Sequence, residues 1–196
     1  MLILISGLTI FGFGEALLIQ SKIGNSPWSV LAQGVSLHSP LSIGTSTFVI
    51  SGAVLSLWIP LRERPGLGTF CNILFIALAL QVGVDLLPAI HHDITVSLLY
   101  VLSGIALVGV GSAIYLTCGL GPGPRDGLMT AIHHKTGIRV SRVRLGIEIT
   151  VLSIGWFLGG KVGIGTALFA LFIGLSIALA LNLISKITQN SQSIGS

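Results

Sequence analysis

Apolar runs of membrane-spanning length alternate along this chain with short turns marked by glycine and proline. The pattern predicts a first span over Leu2 to Gln20 and then a turn, Gly24-Asn-Ser-Pro-Trp28, that opens a short segment from about Pro27 to Leu37. At 1.5 Å of rise per residue that segment is too short to cross a bilayer. Longer runs follow near Ile43–Ile59 and Phe70–Ile90. The same order then returns: a span near Val96–Cys118, a turn at Gly121-Pro-Gly-Pro-Arg125, a short segment to about His134, and spans near Ser141–Leu158 and Ile164–Ile184. The tail from Lys186 to Ser196 is polar, and its composition predicts a loose segment.

The return of the pattern has a fixed period. An offset of 97 positions lays Gly24-Asn-Ser-Pro-Trp28 on Gly121-Pro-Gly-Pro-Arg125, Ser6-Gly7 on Ser103-Gly104, and Gly12 and Gly14 on Gly109 and Gly111. Gly66-Leu-Gly-Thr69 falls on Gly163-Ile-Gly-Thr166, and Leu74-Phe-Ile76 on Leu171-Phe-Ile173. One undisturbed offset over most of the chain points to an internal duplication. Residues 1–92 form the first copy, 93–185 the second, and 186–196 the polar tail.

Composition sharpens the class. Of the 196 residues, 52% are hydrophobic and 8% are charged, against about 25% charged in a soluble domain. With a mean hydropathy of +0.97, the chain reads as an all-α integral membrane protein. The 26 glycines suit helices packed through small residues. The net charge of +4 sits in short loops, where it reports orientation and not a nucleic-acid face. If the short segments dip in and return, six full spans remain. Eight basic residues, among them Arg62, Lys135 and Lys186, then share one side against Lys22 and Lys161. If the short segments cross, the ten divide evenly. The first arrangement obeys the positive-inside rule and places both termini in the cytoplasm. Three spans per copy then turn the second copy upside down. The expected fold is six transmembrane helices plus two short re-entrant or broken helices, as an inverted-topology repeat of the kind found in secondary transporters.

The candidate chemistry gathers at the two turns. A short helix pointing its N-terminus into a membrane protein offers free N–H groups and the positive end of its dipole, which suit an anion or the carboxylate of a zwitterion. Ser26, Pro27 and Trp28 form one such end, and Gly123, Pro124, Arg125 and Asp126 the other. Asp126 could pair with Arg125 or favour the helix from its first turn. The plainer alternative is that both motifs are tight turns serving helix packing, with Arg125 anchored on lipid phosphate. Glu15 lies inside the first span with no local partner, and a carboxylate there is a candidate for substrate or proton coupling. Glu148 has a ready partner in Arg144 on the same helical face.

Other features read more simply. Trp58 is expected at the membrane interface, Cys71 and Cys118 as apolar fillers, and Gly155 with Gly159 as a packing pair. The Gly-x-Gly-Thr turns are expected to start spans, with threonine capping or bonding across helices. His91-His92-Asp93 and His133-His134-Lys135 lack the third ligand a metal needs. No nucleophile–base pair or cofactor loop is visible, so no enzyme activity and no cofactor are expected.

Gly24-Asn-Ser-Pro-Trp28, Gly66-Leu-Gly-Thr69 and Gly119-Leu-Gly-Pro-Gly-Pro-Arg-Asp-Gly-Leu-Met129 resemble the YczE/YyaS/YitT family of bacterial integral membrane proteins, and most closely its YczE-like branch. The resemblance implies a multi-span protein of the bacterial cytoplasmic (inner) membrane and supplies no substrate. The sequence therefore predicts a small secondary transporter for an anionic or zwitterionic solute, with proton coupling open to it. The alternative is a non-transporting membrane scaffold or regulatory protein. A homodimer is compatible with six spans that enclose little volume. A central cavity shared by Glu15 and both short-helix ends would favour transport, and a solid centre the scaffold.

Overall fold

The computed structural model describes residues 1–90 and 93–194, all helix and connecting turns, with no strand among them. The histidine pair His91-His92 lies outside the described residues. In chain order the helices are α1 (Leu2–Gln20), α2 (Pro27–Leu37), α3 (Ile43–Ser56), α4 (Trp58–Leu61), α5 (Leu67–Leu86), α6 (Ile94–Thr117), α7 (Pro124–Thr136), α8 (Val140–Phe157) and α9 (Ile164–Ile194). Pro27 and Pro124 each stand at the first helical position, where a missing N–H leaves nothing unpaired. Helix α5 starts at Leu67, earlier than the expected Phe70, because the Thr69 hydroxyl accepts from Gly66 N–H at 3.2 Å. Thr166 does the same for Gly163 N–H at 3.3 Å.

Among the described residues five helical stretches are long and apolar enough to cross a membrane: α1, α3 continued through α4, α5, α6 and the part of α9 up to Lys186. Helix α8 differs, because its 18 residues include Arg142, Arg144 and Glu148. Helix α9 also runs on through the tail to Ile194, in place of the expected loose segment. Extending an existing helix is far cheaper than nucleating one, and nothing in the polar sequence after Lys186 breaks it.

Helices α1 and α6 cross at the centre and run antiparallel. A methyl group on Gly14 would stand 2.8 Å from Gly104 O, and one on Gly111 would stand 2.6 Å from Gly7 O. The 97-residue offset exchanges these two contacts. Helix α5 lies parallel to α1, with Gly12 against Ala79 and Gly83 against Ala16. Helix α9 lies parallel to α6 in the matching register, with Gly109 against Ser176 and Gly165 against Val101.

Each Gly-x-Gly-Thr turn holds the other half's motif. Gly68 N–H donates to Leu120 O at 2.8 Å, and Gly165 N–H donates to Ile23 O at 3.0 Å. Thr69 Oγ1 reaches across to Pro122 O at 2.8 Å.

One expectation fails here. Trp58 is 2% exposed and does not sit at an interface. Its indole N–H donates to Pro124 O at 3.1 Å, and its ring fills the space that Gly127 leaves on α7. The chain turns after Ser56 and tucks α4 under α7, a contact that no local pattern announces.

Candidate functional site

The two short helices come from opposite halves, yet their N-termini face one cavity of about 110 Å³ near the middle of the bundle. Ser26, Pro27 and Trp28 reach it from α2, and Gly123, Arg125 and Asp126 from α7. Glu15 and Glu148 line it as well. Of the residues singled out by sequence, Pro124 alone turns away, with its carbonyl on Trp58.

Ser26 caps α2, its hydroxyl accepting from Ser29 N–H at 3.4 Å. Both serine hydroxyls then donate to one oxygen of Glu15, Ser26 at 2.6 Å and Ser29 at 2.5 Å. Glu15 is 2% exposed, so a buried carboxylate is fixed by hydroxyls that belong to the next helix. The sequence placed it without a local partner. Its partners lie across the turn, on the helix end that the same motif builds.

In the second half the arrangement is exchanged. Here the span supplies the hydroxyl and the short helix the carboxylate: Tyr115 donates to Asp126. Asp126 forms no ion pair with Arg125. The Arg125 guanidinium instead lies over the Trp28 ring, 4.7 Å from its centre, a cation–π contact between two positions that the 97-residue offset equates. Arg144 and Glu148 do pair, Nε to Oε1 at 2.8 Å, as their spacing predicts.

Sequence reasoning missed Tyr115 and Asn72. Tyr115 sits in an otherwise apolar span, and its counterpart by the offset is Leu18, so this break in the repeat was the available signal. Asn72 lines the cavity from α5 and stands against Gly123, where a methyl would meet its amide nitrogen at 2.9 Å. Its counterpart is Phe169, which also lines the cavity. Ser51 and Ser112, counterparts of Glu148 and Glu15, also line the space.

Elsewhere His133 Nδ1 lies 2.7 Å from Ile138 O, and His134 Nδ1 lies 3.7 Å from Glu63. A larger groove of about 770 Å³ between α3 and α8 is lined mainly by apolar side chains such as Ile50, Val54 and Ile147.

Comparison with known proteins places this architecture in context. A family model described as a family of unknown function, DUF6198, matches residues 1–182. An uncharacterized protein of Haemophilus influenzae is 44% identical over 185 residues, covering 94% of this chain and 84% of that protein. The uncharacterized membrane protein YczE of Bacillus subtilis is 35% identical over 178 residues, covering 90% of this chain and 82% of its own. The uncharacterized protein YyaS of the same organism is 30% identical over 190 residues, covering 92% and 91%. No solved structure matches.

Proposed function

The chain belongs to the DUF6198 family of unknown function, and we propose that this membrane protein is a small secondary transporter for a small anionic or zwitterionic solute. One observation carries the reading: two broken-helix ends from opposite halves, with a buried carboxylate between helices, converge on a single central cavity. Substrate sites of inverted-repeat transporters lie at such an interface. The antiparallel crossing of α1 and α6 and the matching registers of α5 and α9 support an inverted repeat, with α8 as the sixth span. Both termini then lie on the cytoplasmic side of a bacterial inner membrane. The reading involves no catalytic step and no cofactor, and it accommodates a second copy alongside.

A difference between the halves supports it further. Helix α3 packs on α5, where Gly44 N–H donates to Gln81 at 2.9 Å. Helix α8 makes no comparable packing on α9 among the described residues. The α9 face equivalent to Ala77 is Gly174, which has open space around it. Accordingly 44% of the α5 span is buried against 17% of α9. Two related halves in two packings are what alternating access needs, since exchanging them moves the opening to the other side. The wall on the α8–α9 side is then the open, cytoplasmic mouth.

Reconstituted vesicles loaded with buffer and exposed to a mixture of small metabolites test the proposal. Mass spectrometry of their contents should show at least one small charged solute enriched over protein-free vesicles. Its accumulation should respond to an imposed proton gradient and lose that response in Glu15→Gln. Enrichment of no solute would return the protein to the scaffold reading.

A further inference from the structure

We propose that the cavity takes its solute as a zwitterion, with the carboxylate on Arg125 and the ammonium on Glu15. The inference rests on the transporter reading and narrows its ligand.

The walls carry opposite charges that do not neutralise one another. Arg125, Glu15 and Asp126 line one small cavity, yet the ion pairs among the described residues are Arg144–Glu148 and His134–Glu63. Opposite charges in a poorly solvated interior attract strongly, so side chains this close would collapse together unless something held them. Both are held. Arg125 is laid over Trp28, and Glu15 is tied through one oxygen to Ser26 and Ser29. The charges line one cavity without an ion pair between them.

Hydrogen-bond accounting agrees. Both bonds to Glu15 fall on Oε2, so among the described residues Oε1 accepts none, although the residue is 2% exposed. The Arg125 guanidinium likewise donates no hydrogen bond among them. Neither group is among the sealed, partnerless polar atoms of the described residues, so both face cavity space that water or a ligand can fill. An acceptor-only group and a donor-only group left open in one cavity define a ligand with one donor end and one acceptor end. The first turn of α7 adds its own unpaired N–H groups beside Arg125.

Charge and pairing together disfavour the simpler ligands. The unpaired groups total one cation against two carboxylates. A plain anion would satisfy Arg125 while adding a second excess negative charge beside Glu15 and Asp126. A plain amine would bring the total to neutral but pair Glu15 alone, leaving the Arg125 guanidinium with no acceptor. A zwitterion leaves the balance as it is and pairs both ends. At about 110 Å³ the cavity is below the 300–1,000 Å³ of drug-sized sites, which favours a small ligand.

The test uses the full chain, purified and monodisperse, with glycine, alanine and β-alanine as probes. Each is compared with the carboxylate and the amine that share its carbon frame, alanine for example with propionate and ethylamine. At least one zwitterion should bind with about a tenfold or greater advantage over both single-charge analogues, as expected for a lost hydrogen bond to a charged group. Glu15→Gln keeps an acceptor for the two serines. It should erase the advantage over the carboxylate while carboxylate binding persists, which also shows that the variant is folded. Arg125→Gln should erase the advantage over the amine.

A carboxylate that binds the parent as tightly as its zwitterion would overturn the inference and leave an anion transporter. An amine that does so would overturn it as well. Binding of no probe to folded protein would overturn it too, and vesicle uptake of some other solute would show that the transporter reading survives.

Discussion

The two halves share their turns and crossings and differ in where they put charge. In the first, the long helix supplies the carboxylate, Glu15, and the short helix the hydroxyls of Ser26 and Ser29. In the second, the long helix supplies a hydroxyl, Tyr115, and the short helix the carboxylate, Asp126. The aromatic ring at the mouth of α2 faces a guanidinium at the mouth of α7. The 97-residue offset supplies a frame in which each matched position has an image. The chemistry has been placed at positions whose images now carry different groups. The α1–α6 crossing must stay alike on both sides for the halves to fit, while the cavity gains by being unlike, because a ligand with two different ends needs two different walls.

The largest expected effect tests the shared frame. Gly14 and Gly111 are images of each other, and a methyl on either meets opposing backbone at 2.8 and 2.6 Å. Gly14→Val and Gly111→Val should each cost about 1–3 kcal/mol or more by overpacking a crossing that cannot separate. The fraction of monodisperse protein on gel filtration and the thermal midpoint should fall by similar amounts in the two variants. A tolerated substitution at one position and collapse at the other would mean that the crossing is not symmetric.

A smaller effect tests the exchanged charge. Glu15 is 2% exposed, whereas Asp126 is an exposed residue. Ser29→Ala removes a hydroxyl from a buried carboxylate and should lower stability by about 1.5–3 kcal/mol. Tyr115→Phe should cost about 0.5–1.5 kcal/mol, since water in the cavity can replace the lost donor. Thermal unfolding of the purified variants measures both. If Tyr115→Phe proves the more damaging, Asp126 is the tightly held carboxylate and the ranking of the two halves reverses.

How much of this the sequence displayed follows from range. Pro27 and Pro124 mark helix starts by their own chemistry, so α2 and α7 begin where the sequence places them. The 97-residue offset needed only self-comparison, and the Arg144–Glu148 pair only helical spacing. Contacts that join distant segments were hidden. Ser29 on Glu15, Tyr115 on Asp126 and Trp58 beneath α7 depend on which faces of which helices meet. Periodicity, the usual guide, is silent in a membrane, where lipid-facing and protein-facing positions are alike apolar. Leu171 is exposed and Ile173 buried on the same helix, and nothing in their side chains separates them. The separation of α8 from α9 is less legible still, because it is a difference between two packings of related sequence.

The smallest expected effect lies in the turns themselves. Lys22 and Gly119 are images and share a left-handed backbone, φ 58° and φ 63°. That conformation suits glycine and strains lysine. Lys22 also sits beside Lys161, and its ammonium is held below the ordinary lysine range, first by burial and then by that neighbouring charge. A lysine whose folded value is lowered weakens the fold while it is charged, and the penalty fades as pH rises toward the ordinary lysine value. Lys22→Gly should therefore raise stability at neutral pH by no more than about 1 kcal/mol, because glycine's extra freedom in the unfolded chain offsets part of the relief. The gain should shrink in alkaline buffer to the backbone contribution alone. Gly119→Lys should lose a similar backbone increment, since nothing lies within 4 Å of the added side chain's first carbon. Thermal midpoints of both variants across that pH range decide the matter. A Lys22→Gly protein that is less stable at neutral pH would show that the first turn needs its lysine, and that the likeness of the halves stops short of their turns.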